Sequence, residues 1–117
     1  MSTIDSASFE ERLRQYNLFK TRFPNSVPIV IQRDGRSSLP LSLQNQLFLV
    51  PRTLSATEFS SMIRKKVNLA KTQAMMMFVN RRTLVAGDLT VSELYDRFRG
   101  EDGFLYVLCT DHASYGT

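Results

Sequence analysis

Three stretches of the chain place apolar residues three and four positions apart, and a hydroxyl residue with a glutamate three positions on opens each of them. The openings are Ser8-Phe9-Glu10-Glu11, Ser55-Ala56-Thr57-Glu58 and Thr90-Val91-Ser92-Glu93. In such a capping box the hydroxyl and the carboxylate satisfy N–H groups that a helix start leaves free, so three helices are predicted. The first carries Phe9, Leu13, Tyr16, Phe19 and Phe23, and Pro24 marks its end. The second carries Phe59, Met62, Ile63 and Val67; the third carries Val91, Leu94, Tyr95 and Phe98 and stops at Gly100. Between them lie four runs with strand character, "VPIVIQ", "QLFLVP", "MMMFVN" and "GFLYVLCT". In the first run Val27, Ile29 and Ile31 face one way, and Pro28 and Val30 the other. Both faces are apolar and both need cover. The second helix can cover one and the N-terminal helix the other. The order predicts a mixed-sheet α+β roll with extra helical material at the front.

At 117 residues, with 43% hydrophobic and 22% charged residues, the chain has the composition of one ordinary globular domain. Its single cysteine, Cys109, has no internal partner, so a reducing compartment is expected. Residues 1–8 lack the apolar core of a signal peptide, and no apolar run reaches membrane-spanning length. A membrane role would therefore need an anchor or a partner. The net charge of +4 hides an asymmetry. Residues 1–82 hold thirteen Lys and Arg against five Asp and Glu; residues 83–117 hold two against six. A basic body suits acidic peptides, acidic headgroups or RNA, and equally a solvated surface of mixed charge.

Little in the chain points to catalysis. His112 is the only histidine, and Cys109 sits inside an apolar run, where it reads as a small buried hydrophobe. Neither a metal-ligand cluster nor a phosphate-binding glycine loop is present, so no cofactor and no metal are expected. The stacking motifs of common RNA-binding modules are missing, so nucleic acid is not an expected partner. Met75, Met76 and Met77 read as alternating strand positions. The closing "HASYGT" reads, on its own, as a fraying end.

Taken in order, "FEERLRQYNLFKTRFPNSVPIVIQ", "FLVPRTLSATEF", "MIRKKVNL", "MMMFVN" and "EDGFLYVLCTDHASYG" change that reading. Over about residues 8–116 the chain resembles the autophagy ubiquitin-like modifiers. That family includes microtubule-associated protein light chain 3 and the GABA type A receptor-associated protein. The resemblance implies a single ubiquitin-like β-grasp roll, with an N-terminal helical extension over 1–24, a core over 25–110 and a flexible tail over 111–117. It also implies a precursor that a cysteine protease trims after Gly116, which follows Tyr115, removing Thr117. Activating and conjugating enzymes would carry Gly116 as a thioester and join it to phosphatidylethanolamine. The protein would then move from the cytoplasm to the autophagosome membrane. Glycine suits this chemistry because its carbonyl is uncrowded, and the lipid's two acyl chains suffice for stable anchoring. A non-conjugated trafficking or microtubule-associated adaptor would keep the peptide groove without needing Gly116.

"QLFLVP" reads as an edge strand, because Pro51 cannot donate to a further ladder. A bare edge invites strand addition by an extended peptide. The resemblance implies a first pocket of Gln15, Phe19, Pro28, Val30, Leu49 and Phe104. It implies a second of Phe48, Val50, Pro51, Leu54, Phe59 and Met62. Cargo receptors and adaptors with an aromatic-x-x-aliphatic motif would fill the two, and Phe48→Ala or Phe59→Ala would weaken them. Taken singly, Val50, Leu54 and Phe59 read as core residues. Arg64, Lys65 and Lys66 sit beside the second pocket, either as a solvated face or to attract acidic residues flanking the motif. Asn45 and Leu47 replace basic residues common on the family's second strand, and Ser26 replaces a common arginine. Preference for acidic-flanked motifs is accordingly expected to be weaker. The segment "RRTLVAGD" lacks the family's usual proline pair, which leaves its conformation open.

Overall fold

Each of the three helices begins at its expected cap in the computed structural model, which describes residues 8–80 and 82–112. The Ser8 hydroxyl accepts from the Glu11 N–H at 3.2 Å and starts α1, Phe9–Arg22. At α2, Ala56–Lys66, the box is complete: Ser55 Oγ accepts from the Glu58 N–H at 3.1 Å, and Glu58 Oε1 from the Ser55 N–H at 3.0 Å. Thr90 Oγ1 accepts from the Glu93 N–H at 3.1 Å to start α3, Val91–Phe98. The starts of α2 and α3 are also stitched together. The Ala56 N–H donates to the Leu89 carbonyl at 2.7 Å and the Val91 N–H to the Leu54 carbonyl at 2.8 Å.

The strands are β1 (Ser26–Arg33), β2 (Gln46–Pro51), β3 (Met76–Val79), β4 (Thr83–Leu84) and β5 (Leu105–Thr110). They form one sheet in the order β2-β1-β5-β3-β4. The central β1–β5 pair is parallel and all other pairs are antiparallel. This is the expected mixed-sheet α+β roll, with one strand more than the sequence pattern predicts. The extra strand, β4, comes from the "RRTLVAGD" segment, whose conformation the sequence leaves open. Asn80, at φ 54°, turns the chain out of β3 toward it. Asn45 has the same backbone form, at φ 54°, and lies in the turn before β2 and not on the strand. Asparagine tolerates this left-handed region better than most residues.

Both faces of β1 are buried, as its alternation requires. Val27, Ile29 and Ile31 join Phe59, Ile63 and Leu94 in the larger core beneath α2 and α3. Leu39 and Leu43, from the connection between β1 and β2, complete that core without any periodic signal in the sequence. On the opposite face Val30, Leu47 and Phe104 form a smaller cluster against Tyr16 and Phe19 of α1.

α1 covers this second face as expected, but thinly: none of its residues is fully buried, and Phe9 and Leu13, with Phe23 at its C-cap, are exposed. Polar clamping compensates. Arg12 Nε donates to Asp102 Oδ2 at 2.8 Å, and the Tyr106 hydroxyl donates to the same oxygen. Asp102 Oδ1 accepts from the Phe104 N–H at 3.1 Å, so one buried carboxylate ties α1 to the entry of β5. Next to it Gly103, at φ +90°, lies against the Tyr16 ring, and a Cβ there would collide with that ring. We expect Gly103→Ala to loosen α1 without melting the sheet. Hydrogen exchange should then quicken for α1 amides while β1 and β5 stay protected.

A second buried carboxylate, Asp34, closes the other end of the sheet. Burial pushes its pKa up, but bonds from the Arg36 N–H at 3.1 Å, Thr110 Oγ1 at 2.8 Å and the Arg36 guanidinium outweigh it. The result lies below the ordinary carboxylate value. A depressed folded-state pKa stabilises fully above the unfolded value, near pH 4, and that stability is lost as pH falls through the lower folded value. Urea unfolding between about pH 5 and about pH 2 should show Asp34→Asn less stable at the upper end, with a shallower acid loss than the parent.

Candidate functional site

Among the described residues β2 pairs with β1 alone, which leaves its other edge free. Its register, Leu47↔Val30 and Leu49↔Pro28 against Phe48↔Ile29 and Val50↔Val27, sends alternate side chains to opposite faces. Leu47 therefore belongs to the α1 side and Phe48 to the α2 side. An extended segment added to this edge would send residues three apart to opposite faces, about 10 Å apart along the strand.

On the α1 side the structure brings together most of the first predicted pocket. Val30, Phe104 and Pro28 are buried, and Phe19 and Leu49 are half-buried above them. The Phe19 and Phe104 rings meet edge-on, with centroids 6.3 Å apart. These predicted residues thus lie where α1 packs on the sheet. Leu47 and Tyr16 belong to the same cluster and were not among the predicted pocket residues. The period-2 alternation that pairs Leu47 with Leu49 was the signal for the first; no local signal marks Tyr16. Gln15 adds a polar feature: its Oε1 is buried and has no hydrogen-bond partner among the described residues. A buried acceptor of this kind costs about 1–3 kcal/mol unless something donates to it.

The second predicted pocket divides into floor and rim. Val50 and Phe59 are completely buried and Phe48 nearly so, which makes them members of the main core. The rim consists of exposed Pro51 with half-buried Leu54 and Met62. Consequently Phe48→Ala and Phe59→Ala would open core cavities costing about 3–5 kcal/mol, and cannot report on peptide contact alone.

The basic run occupies the last turn of α2. Arg64 Nη2 donates to the Ala70 carbonyl at 2.8 Å, securing the loop after the helix, while Lys65 and Lys66 are exposed. Cations here also complement the helix C-terminus. Of the residues named as lost basic positions, Leu47 is buried and Ser26 half-buried at the start of β1. Gly116 and Thr117 lie outside the described residues. Cys109 is wholly buried in β5, and burial pushes its thiol pKa up to about 12, opposite to the shift that activates a nucleophile. The His112 ring pairs with the Arg36 carbonyl at 2.9 Å. Among the described residues no group of His, Cys, Asp or Glu is arranged to hold a metal, and no helix is long and apolar enough to cross a membrane.

Comparison with known proteins agrees with this architecture. The family model described as "Autophagy protein Atg8 ubiquitin like" matches residues 11–116. Protein lgg-2 of Caenorhabditis elegans is 36% identical over 109 residues, covering 92% of this chain and 83% of that protein. Microtubule-associated protein 1 light chain 3 gamma of Homo sapiens is 35% identical over 97 residues, covering 83% of this chain and 66% of that protein. The crystal structure of Trypanosoma brucei ATG8 superposes with a TM-score of 0.83 at 28% identity, over 99% of both chains. Plasmodium falciparum Atg8, solved with an Atg3 peptide of that organism, superposes with a TM-score of 0.82 at 29% identity, over 96% of this chain and 98% of its own. The fold is therefore the ubiquitin-like α+β roll with an N-terminal helix, and the chain belongs to the Atg8 family of ubiquitin-like autophagy proteins.

Proposed function

We propose that this autophagy protein is a modifier conjugated through Gly116 to phosphatidylethanolamine. Held on the autophagosome membrane, it recruits cargo receptors and adaptors that add an aromatic-x-x-aliphatic segment to the edge of β2. The observation that carries the recruiting role is the edge itself, unpaired among the described residues and flanked on its two faces by the apolar cluster under α1 and the Leu54–Met62 rim. Main-chain bonds to the edge supply affinity, and the two flanking sites supply specificity. Two anchors worth roughly 1.5–3 kcal/mol each, with ordering costs subtracted, fit a micromolar partner. Gln15 Oε1, a buried acceptor without a donor among the described residues, favours an aromatic residue that brings a ring N–H to the α1 side.

The processing and conjugation steps rest on family membership and on glycine's lack of a Cβ. A cysteine protease removes Thr117, and activating and conjugating enzymes then carry Gly116 as a thioester before its transfer to the lipid amine. The Plasmodium relative was solved with an Atg3 peptide, which supports a conjugating enzyme as a partner of this chain too. The chain itself acts as a modifier and not as an enzyme, a reading that the buried, high-pKa Cys109 supports.

Two experiments test these roles. Leu49→Ser and Leu54→Ser, at half-buried edge and rim positions, should each weaken a tryptophan-x-x-leucine peptide about tenfold by calorimetry. Unaltered affinity in both would dismiss the two-site reading. In cells supplied with the cognate enzymes, Gly116→Ala should abolish membrane attachment. A Gly116→Ala protein still recovered with membranes would favour the non-conjugated adaptor.

A further inference from the structure

A separate feature lies where α1, α3 and the end of β2 converge. A notch of about 130 Å³ opens there, lined by Lys20 and Tyr16 from α1, Arg52 from beyond β2, and Tyr95, Asp96 and Arg99 from and just after α3. Arg52 and Arg99 both lie within cation–π range of the Tyr95 ring, each with Cζ 5.8 Å from its centroid. Tyr95 is fixed in turn by its hydroxyl, which donates to the Gly103 carbonyl. The hydrogen bonds of Arg52 are long, 3.4 Å to the Pro24 carbonyl and 3.4 Å to Ser92 Oγ. Among the described residues none of Lys20, Arg52 and Arg99 has a carboxylate within ion-pair distance. Asp96 lines the notch without closing such a pair, so the site carries a net charge of about +2.

Three cations lining one notch repel one another. An anion seated in the notch would turn that repulsion into charge-assisted hydrogen bonding, which arginine forks make readily with phosphate oxygens. The volume equals about four liquid waters, room for a phosphoryl group whose ester substituent lies outside the notch. A phosphate monoester, with a charge of about −1.5 to −2 at neutral pH, matches the notch in sign and magnitude. We propose that this notch binds the dianionic phosphoryl group of a phosphate monoester, either a soluble one or the headgroup of phosphatidic acid. The notch shares Pro28 and Tyr16 with the α1 side of the predicted peptide site but takes its charges from Lys20, Arg52 and Arg99, and it does not depend on the modifier reading.

The test uses the full chain, isotopically labelled and titrated with sodium hydrogenphosphate near pH 7 at constant ionic strength, with chloride as the control. Saturable shifts are expected at the amides of Arg52, Tyr95 and Arg99. Arg52→Gln and Arg99→Gln should each weaken binding at least about tenfold, the effect of losing one charged hydrogen bond. Asp96→Asn, at an exposed position, should strengthen binding a few-fold, and it keeps the test decisive if an arginine variant fails to fold. Sedimentation with phosphatidylcholine vesicles, with and without phosphatidic acid, separates the sources. Retention that needs phosphatidic acid and is lost in Arg52→Gln assigns the headgroup. Saturable phosphate binding without retention assigns a soluble ester. Shifts that grow linearly and equally at Lys65 and Lys66, or binding that is identical in all three variants, would overturn the site.

Discussion

Because Val27, Ile29 and Ile31 fill one side of β1 while Pro28 and Val30 fill the other, neither face of this strand can meet water, and the remaining elements are placed by covering it. Each large apolar side chain buried in this way is worth roughly 1.5–3 kcal/mol, against a net stability of about 5–15 kcal/mol for a domain. Exposing either face would therefore remove much of the margin. A strand with two such faces belongs in the interior of a sheet, which is why β2 and β5 flank it and why the edge falls to β2.

The two covers are not equivalent. Beneath α2 and α3 the cover is a deep apolar core, and the starts of the two helices are joined by main-chain bonds. On the α1 side the cluster is small, and a carboxylate, an arginine and two tyrosines do what bulk burial does on the other. That thinner cover is also where the two proposed sites gather. A helix without a fully buried residue covers the α1 side of the sheet only partly, and the buried Gln15 Oε1 has no donor among the described residues. The same helix, by bringing Lys20 near Arg52 and Arg99, forms one wall of the cationic notch.

Much of this was legible from residue pattern. The capping boxes at Ser8, Ser55 and Thr90 begin all three helices, because each names a donor and an acceptor within one turn. The alternation in β1 and the proline at the end of β2 placed those strands as interior and edge. What escaped depends on contacts distant in sequence or on very short segments. Leu39 and Leu43 are core residues of an irregular connection, and β4 is two residues long, so neither carries a period. Membership in a pocket was only half readable. The resemblance places Val50 and Phe59 in a pocket while their residue types alone read as core, and the packing of α2 on the sheet buries both. The notch unites residues of α1, of the end of β2 and of α3, which no local window contains.

The central parallel pair has a consequence for synthesis. Asp34, at the far end of β1, bonds Thr110 at the end of β5 across 76 positions, and the sheet is divided until β5 arrives. On the ribosome, the β1–β2 hairpin and the first two helices emerge long before the strand that joins them to β3. Their apolar surfaces must wait exposed for it, so folding completes as a late event, with nascent chains lacking β5 exposed to chaperone capture or aggregation.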